Sequence, residues 1–337
     1  MGVNCSGCTC TGKDTELHFE VEFNLPNSSK KQQQTSDFIL PINDQVQDHL
    51  EKIIKIQAVW RGHKARKRVS FLKKRKKPKV NYFTFEDSRD TKTSSFAFER
   101  EERPAYTYKS GAVYVGHWRG TNRDGHGIQT WPDGARYEGQ WKDNKAHGIG
   151  KFWHVDGDVY EGEWKDDKAN GKGKYVQSNG AVYEGEWKDD VQQGYGKEIW
   201  IDNSTYEGYY VDGKKHGFGT YLWKDLSSYS GMWVDNRING KGIYRWPDGR
   251  EYNGEWKNGT MHGYGVYTWK DGRKYEGEYQ NDHKHGKGVY VWADGKCYDG
   301  GWRNGKQYGV GIMIYPNGVK KKGQWSDGKR IRWLDEL

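Results

Sequence analysis

Long hydrophobic runs are missing from this 337-residue chain: no stretch approaches the roughly 18 to 20 apolar residues that a membrane-spanning helix needs. Wholly apolar large side chains are scarce as well. Leu, Ile, Val and Phe together make up about 16% of the sequence, below the roughly 20% at which a chain struggles to build an oily core. There are four cysteines, three within the first ten residues and the fourth, Cys297, alone. This excludes a disulfide framework and suits a reducing cytoplasmic compartment. Only 7 prolines accompany 46 glycines, which excludes collagen, and an ordinary helical bundle or dinucleotide-binding enzyme is disfavoured on the same composition.

Aromatic residues replace the missing aliphatics. The 17 Trp and 24 Tyr are apolar bodies with polar tips, so a core built on them is a set of stacked amphipathic rings. The net charge of +9 is local rather than global: residues 51–79 carry 13 basic side chains and one acidic one, whereas residues 114–337 carry 34 and 32. An argument for nucleic acid from the whole-chain charge therefore fails, and no nucleic-acid partner is expected.

Tyrosines stand at 114, 137, 160, 183, 206, 229, 252, 275 and 298, each 23 residues after the last. Counted from each tyrosine, Gly fills offsets 2, 11 and 13 in all nine units, from Gly116, Gly125 and Gly127 to Gly300, Gly309 and Gly311. Offset 4 is Trp or Tyr throughout, and offset 17 is aromatic in seven of nine units. Side chains alternate with period two along a strand, so offsets 0, 2 and 4 share one face of a first strand and offsets 11 to 17 one face of a second. Each unit reads as a β-hairpin. Turns such as Trp131-Pro132-Asp133-Gly134 join one hairpin to the next. The rings are expected to lie over the bare glycine backbone of the neighbouring strand.

This pattern resembles the MORN repeat family, as in Tyr160-Glu161-Gly162-Glu163-Trp164 followed by Gly171-Lys172-Gly173. Nine full units span 114–320; Tyr106, Tyr108 and Gly111 look like half a unit before them, and Gly323, Gln324 and Trp325 like part of one after. The resemblance implies an all-β repeat fold: an elongated, twisted, single-layer antiparallel meander of 23-residue hairpins, used for scaffolding and protein association and sometimes for phospholipid contact. Nine hairpins at about 4.8 Å per strand make a tape roughly 85 Å long. The turn glycine is replaced at Asn203 and Leu226, so the loops near 200–205 and 223–228 are expected to be irregular. Lys321 occupies the next tyrosine slot and suggests a fraying cap.

The first hundred residues divide differently: a flexible tail over 1–43, a basic α-helix over 44–77 and a linker over 78–105, with the sheet over 106–333. Met1-Gly2-Val3-Asn4-Cys5-Ser6 fits a myristoylation signal on Gly2, and Cys5, Cys8 and Cys10 are candidates for palmitate, the second anchor that stable membrane attachment requires. Incidental thiols or a thiolate metal site at the same three cysteines are the alternatives; tetrahedral zinc would lack its fourth ligand. Asp44 and Gln47 form a helix-start signature, and Val46, Leu50, Ile53, Ile56, Trp60, Val69 and Leu72 an apolar stripe ended by Pro78. Within it Ile56, Gln57, Arg61, Gly62, Arg66 and Val69 are spaced as in the IQ motif, which implies calmodulin or a related EF-hand partner. Trp60 adds a further apolar anchor. The bland alternative is a solvated basic helix. Lys73, Lys74, Arg75, Lys76 and Lys77 extend the charge and suit an anionic membrane surface, since no aromatic platform accompanies them to stack bases.

No catalytic set emerges. His147, His216, His262 and His285 share offset 10, but equivalent positions in successive hairpins lie about 10 Å apart, too far for one zinc ion. Structural hydrogen bonding is the expectation for them. The Gly-x-Gly pairs lack the helix N-terminus a phosphate cradle needs. No metal or cofactor is expected. The favoured reading is a non-enzymatic, acylated, calmodulin-responsive scaffold of the cytoskeleton, at a cilium, axoneme or membrane cortex. The runner-up is a regulatory or targeting subunit of a phosphoinositide-kinase-type enzyme, disfavoured by the absence of room for a kinase fold. On the tape, Trp233, Tyr244, Trp256 and Tyr267 are expected to leave ring edges near water and bind a neighbouring cytoskeletal or ciliary protein, with self-association into a homodimer as an alternative.

Overall fold

The computed structural model of the protein describes residues 82–83 and 99–334. The tail, the basic helix and most of the linker lie outside those residues. Twenty-one strands form one antiparallel sheet in which every strand pairs with the next in sequence, from Glu101–Thr107 to Lys329–Trp333. No helix occurs among the described residues. The sheet begins earlier than the expected residue 106, because Glu101, Glu102 and Arg103 pair with Trp118, His117 and Gly116.

One unit explains the others. In the hairpin Ser228–Val234 with Arg237–Arg245, Tyr229 faces Tyr244 and Gly231 faces Gly242. A Cβ on Gly242 would stand 2.5 Å from Cζ of Tyr229, so the ring lies directly on the glycine backbone. The Tyr229 hydroxyl then donates to the Met232 carbonyl at 3.0 Å. The register shifts between Gly231 and Trp233, and Gly240 takes up the bulge with φ +64°. Two of the unit's glycines thus vacate space for the ring, and the third supplies a backbone angle that L-residues avoid. The hairpin closes on Asp235 and Asn236, both left-handed (φ 47° and 66°), as a two-residue turn matching strand twist requires. Asn236 also ties back to the preceding repeat: its N–H donates to the Lys215 carbonyl at 3.0 Å, and its Oδ1 accepts from the Lys215 N–H at 2.9 Å.

The turns between hairpins are more uniform than the sequence suggests. At Trp131–Gly134 the Gly134 N–H donates to the Trp131 carbonyl at 2.9 Å. Asn203 and Leu226 adopt the same left-handed angle (φ 63° and 65°) and make the same bond, at 2.8 and 2.9 Å. The expected irregularity is therefore corrected: strand pairing on both sides dictates the turn. In each, the side chain of Asp202 or Asp225 accepts from the following Ser204 or Ser227 hydroxyl at 2.6 and 2.5 Å. The expected fraying at Lys321 is corrected as well. Lys320–Ser326 pairs on both sides, and the buried Trp325 packs edge-on to Trp333, with centroids 6.0 Å apart.

Candidate functional site

The two faces of the sheet differ in chemistry. On the inner face every repeat tyrosine is buried and meets two offset-4 rings edge-on: Tyr229 lies 5.4 Å from Trp233 at 86° and 5.8 Å from Trp256 at 86°. Each edge-to-face pair contributes about 0.5–1.5 kcal/mol beyond its burial. From Trp141 to Trp302 the offset-4 indole N–H groups donate across the sheet, Trp233 to the Gly219 carbonyl at 3.1 Å and Trp256 to that of Gly242 at 3.2 Å, whereas that of Trp118 in the first repeat is buried without a partner. Burial drives the tyrosine hydroxyls upward in pKa, Tyr298 to about 12.

This arrangement corrects the expected exposure of the predicted protein-binding face. Trp233, Trp256 and Tyr267 are only 5%, 8% and 7% exposed, and Tyr244 is half-buried between Trp223 and Trp246 at 5.3 and 4.5 Å. A single sheet hides these rings because its neighbours' rings, not a second layer, cover them. The offset-17 ladder of Trp131, Trp200, Trp223, Trp246, Trp269 and Trp292 is interrupted at His154 and Gln177. At that gap sits Tyr82, 5.2 Å from His154 and 5.4 Å from Phe152, while Phe83 packs on Trp131 at 5.4 Å and Trp164 at 5.7 Å. Sequence reasoning had placed these two aromatics in a linker. The signal was available: two missing rings in a ladder and two unassigned rings upstream.

Charged groups enter the inner face at Arg123, Lys215 and Lys284, the last with its ammonium 4.2 Å over Tyr290 and 4.9 Å over Trp302. Arg123 is buried with its guanidinium 4.1 Å above the Trp141 ring, and burial lowers its pKa. Neighbouring Asp124, also buried, is paired to Arg100 at 2.6 Å and Arg119 at 3.2 Å. Further along, Glu198 takes the slot of a ladder tyrosine; it accepts from the Tyr210 hydroxyl at 3.0 Å and faces Lys215 at 3.6 Å. Burial lowers the Lys215 pKa, and its ammonium lies 4.6 Å over Trp200. Of the four repeated histidines expected to make structural hydrogen bonds, three make none at Nδ1. In His147, His262 and His285 that atom is buried without a hydrogen-bond partner, although that of His147 lies 3.9 Å from Asp166 Oδ1. No group of three or more metal-ligating side chains occurs among the described residues.

The outer face carries cross-strand Lys–Glu neighbours, such as Lys172 opposite Glu186 and Lys241 opposite Glu255, alongside single exposed apolar side chains such as Ile149 opposite Glu163 and Tyr264 opposite Glu278. The offset-3 acid also reaches the bulge, Glu163 accepting from the Lys172 N–H at 3.0 Å and Glu278 from that of Lys287 at 3.1 Å. In the central repeats the row changes: Tyr195 faces Tyr209, and Phe218 faces Met232. A solvent-open groove on Glu163, Lys165, Lys168, Lys172 and Glu186 is lined by charges of both signs.

The predicted acylation residues Gly2, Cys5, Cys8 and Cys10 lie outside the described residues. So do the predicted EF-hand-binding residues Ile56, Gln57, Trp60, Arg61, Gly62, Arg66 and Val69, and the basic run Lys73 to Lys77.

Comparison with known proteins bears on both parts of the chain. The IQ calmodulin-binding motif matches residues 50–70. The MORN repeat matches 114–136, 137–159, 160–182, 183–205, 206–228, 229–249, 252–272, 275–297 and 298–320, about 60% of the chain. Among curated proteins none matches. Similar solved structures include the TCP10 domain of Danio rerio CPAP, with 15% identity over 62% of this chain and 99% of that one and a TM-score of 0.36. Another is the Drosophila melanogaster SAS-4 (dCPAP) TCP domain with a proline-rich motif of Ana2, with 12% identity over 66% and 90% of the two chains and a TM-score of 0.27. With nine matched units folded as consecutive hairpins of one sheet, the chain belongs to the MORN repeat family and carries an IQ calmodulin-binding motif ahead of its repeats.

Proposed function

We propose that this protein is a non-enzymatic scaffold in which an IQ helix recruits calmodulin or a related EF-hand protein and a MORN sheet in the same chain holds further components of a cytoskeletal assembly. The observation that carries the reading is the IQ match at 50–70 just upstream of an uninterrupted nine-repeat sheet. In such an array each hairpin leans only on its neighbours, so the sheet serves as a spacer with many equivalent attachment points. Acylation at Gly2 with palmitate on Cys5, Cys8 or Cys10 would place the assembly at a membrane, and Lys73 to Lys77 would add about 1 kcal/mol per residue on anionic lipid. An EF-hand partner seated on the same helix covers those lysines, so partner and membrane compete. A ciliary, axonemal or cortical location is the setting such a device suits.

Calorimetry of the full chain with calmodulin tests the central step. Binding should be lost when Ile56, Gln57, Arg61 and Arg66 are changed together to Ala, and anionic vesicles should compete with it. Undiminished binding by that variant sinks the IQ assignment. Simultaneous occupancy by vesicle and calmodulin sinks the switch, and an unmodified N-terminus by intact mass on native material sinks the anchor.

A further inference from the structure

The outer face holds an apolar island in the middle of the sheet. Tyr195, Tyr209, Phe218 and Met232 stand side by side on the four successive strands Val191–Ile199, Thr205–Val211, Lys214–Leu222 and Ser228–Val234, and are 41–55% exposed. Most other repeats put Glu or Gln in the slots of Tyr209 and Met232; the slots of Tyr195 and Phe218 hold Lys172, Lys241 and Lys287 but also the single apolar side chains Ile149, Tyr264 and Val310, which face Glu163, Glu278 and Gln324 rather than another apolar group. Val191, Val211 and Val234 continue the island toward the hairpin turns, where most other repeats carry lysine or arginine and the rest a polar residue, and Ile199 and Leu222 continue it toward the opposite ends of the strands; all five are exposed. Charge is nearly absent: the outward positions of these strands carry Lys197 and Glu207, paired at 3.6 Å, and Lys214, paired to Asp235 at 3.6 Å. Thr220 and Ser230 bond to each other at 3.2 Å where the preceding repeats have Lys174–Glu184 and Lys197–Glu207.

These departures carry local disadvantages. Tyr209 and Met232 replace the carboxylate that elsewhere accepts a hydrogen bond from the bulge N–H. Nearby Leu226 is 73% exposed at φ 65°, an angle that costs a leucine roughly 1–2 kcal/mol relative to glycine. Neither feature serves the inner ring ladder, and retained strain of this kind concentrates at functional surfaces.

We propose that this island is the interface of a homodimer, two copies packing their sheets back to back through repeats four to six. Area, shape and charge select a second copy. The nine side chains expose roughly 700 Å², beyond the few hundred that a monomer ordinarily shows and close to the about 800 Å² per partner of a stable interface. A pleated apolar face finds its natural complement in another sheet of the same twist, stacked about 10 Å away. A two-fold contact sets the same patch against itself, and this patch, with only paired charges on its strands, meets no like-charge block on its copy. A strongly acidic or basic partner would find nothing here to pair with.

Sedimentation equilibrium on the full chain is the test. Wild type at about 50 µM, above the micromolar Kd expected for an interface of this size, should give twice the 39.2 kDa chain mass. Tyr195→Lys, Tyr209→Glu, Phe218→Lys and Met232→Glu together install the Lys–Glu pairs seen at Lys172–Glu186 and Lys241–Glu255 and should give a monomer with an unchanged or higher Tm. Ile149→Lys, at an exposed outer-face position outside the island, should remain dimeric. If the fourfold variant loses its aromatic near-ultraviolet circular dichroism, the pair Tyr209→Glu and Phe218→Lys takes its place. Monomeric wild type overturns the proposal, as does a dimer that survives these changes. A monomer that captures a different protein through the island overturns it too.

Discussion

The glycines of this sheet look interchangeable by composition, and the structure makes them physically different. Consider Gly265 and Gly272, seven residues apart in one repeat. Gly265 lies under the fully buried Tyr252, and a Cβ there would stand 2.5 Å from that ring's Cζ, against a carbon–carbon optimum of about 3.5–4.0 Å. The ring cannot retreat, because Trp256, Tyr279 and Tyr267 hold it at 5.0, 5.2 and 6.4 Å. Displacing it also breaks the bond from its hydroxyl to the Glu255 carbonyl at 3.0 Å. Overpacking of about 1–3 kcal/mol and a lost hydrogen bond of about 1 kcal/mol together give a loss of about 3 kcal/mol for Gly265→Ala. Gly272, at φ 88°, has nothing within 4 Å of the same added atom, so Gly272→Ala meets only the backbone preference, about 1 kcal/mol. Urea unfolding of the two variants, followed by tryptophan fluorescence and near-ultraviolet circular dichroism, separates the cases. Equal losses, or the larger loss at Gly272, would refute the ring-on-glycine account.

Three further outcomes follow from the same geometry. The tyrosine ladder should make the fold alkali-sensitive: burial raises the hydroxyl pKa values in the sheet, Tyr298 to about 12 and most others further, so above about pH 10 the unfolded chain releases protons that the folded one keeps, and stability falls with rising pH by up to about 1.4 kcal/mol per unit per tyrosine. Tyrosinate absorbance should then rise together with loss of the near-ultraviolet signal; ionisation near pH 10 in an intact sheet would contradict this. Glu198→Ala leaves the buried Lys215 ammonium unpaired and should cost about 3–5 kcal/mol, whereas Glu198→Tyr with Lys215→Met, the residue types found in these slots in other repeats, should cost far less by the same urea assay. Leu226→Gly should stabilise the turn by about 1 kcal/mol in thermal unfolding, and no change in Tm would show that the left-handed leucine is unstrained.

The repeat, its length, its hairpins and its all-β architecture were legible in residue spacing, because side-chain alternation and the 23-residue period are local properties of the chain. The MORN and IQ assignments followed from the same spacing. Legible but unread were the left-handed Asp and Asn pairs such as Asp235 and Asn236, and their Asp-Gly and Asn-Gly equivalents such as Asn258 and Gly259, which close the hairpins and staple one hairpin to the one before. Three matters belonged to the tertiary structure alone. Whether Trp233, Trp256 and Tyr267 face water depends on rings 23 residues away in both directions, and cross-repeat stacking buries them. Whether Asn203 and Leu226 disturb their turns depends on strand pairing either side, which overrides the preference of one residue. Tyr195, Tyr209, Phe218 and Met232 are scattered over 38 residues of sequence, and only the register of four antiparallel strands brings them into one exposed row.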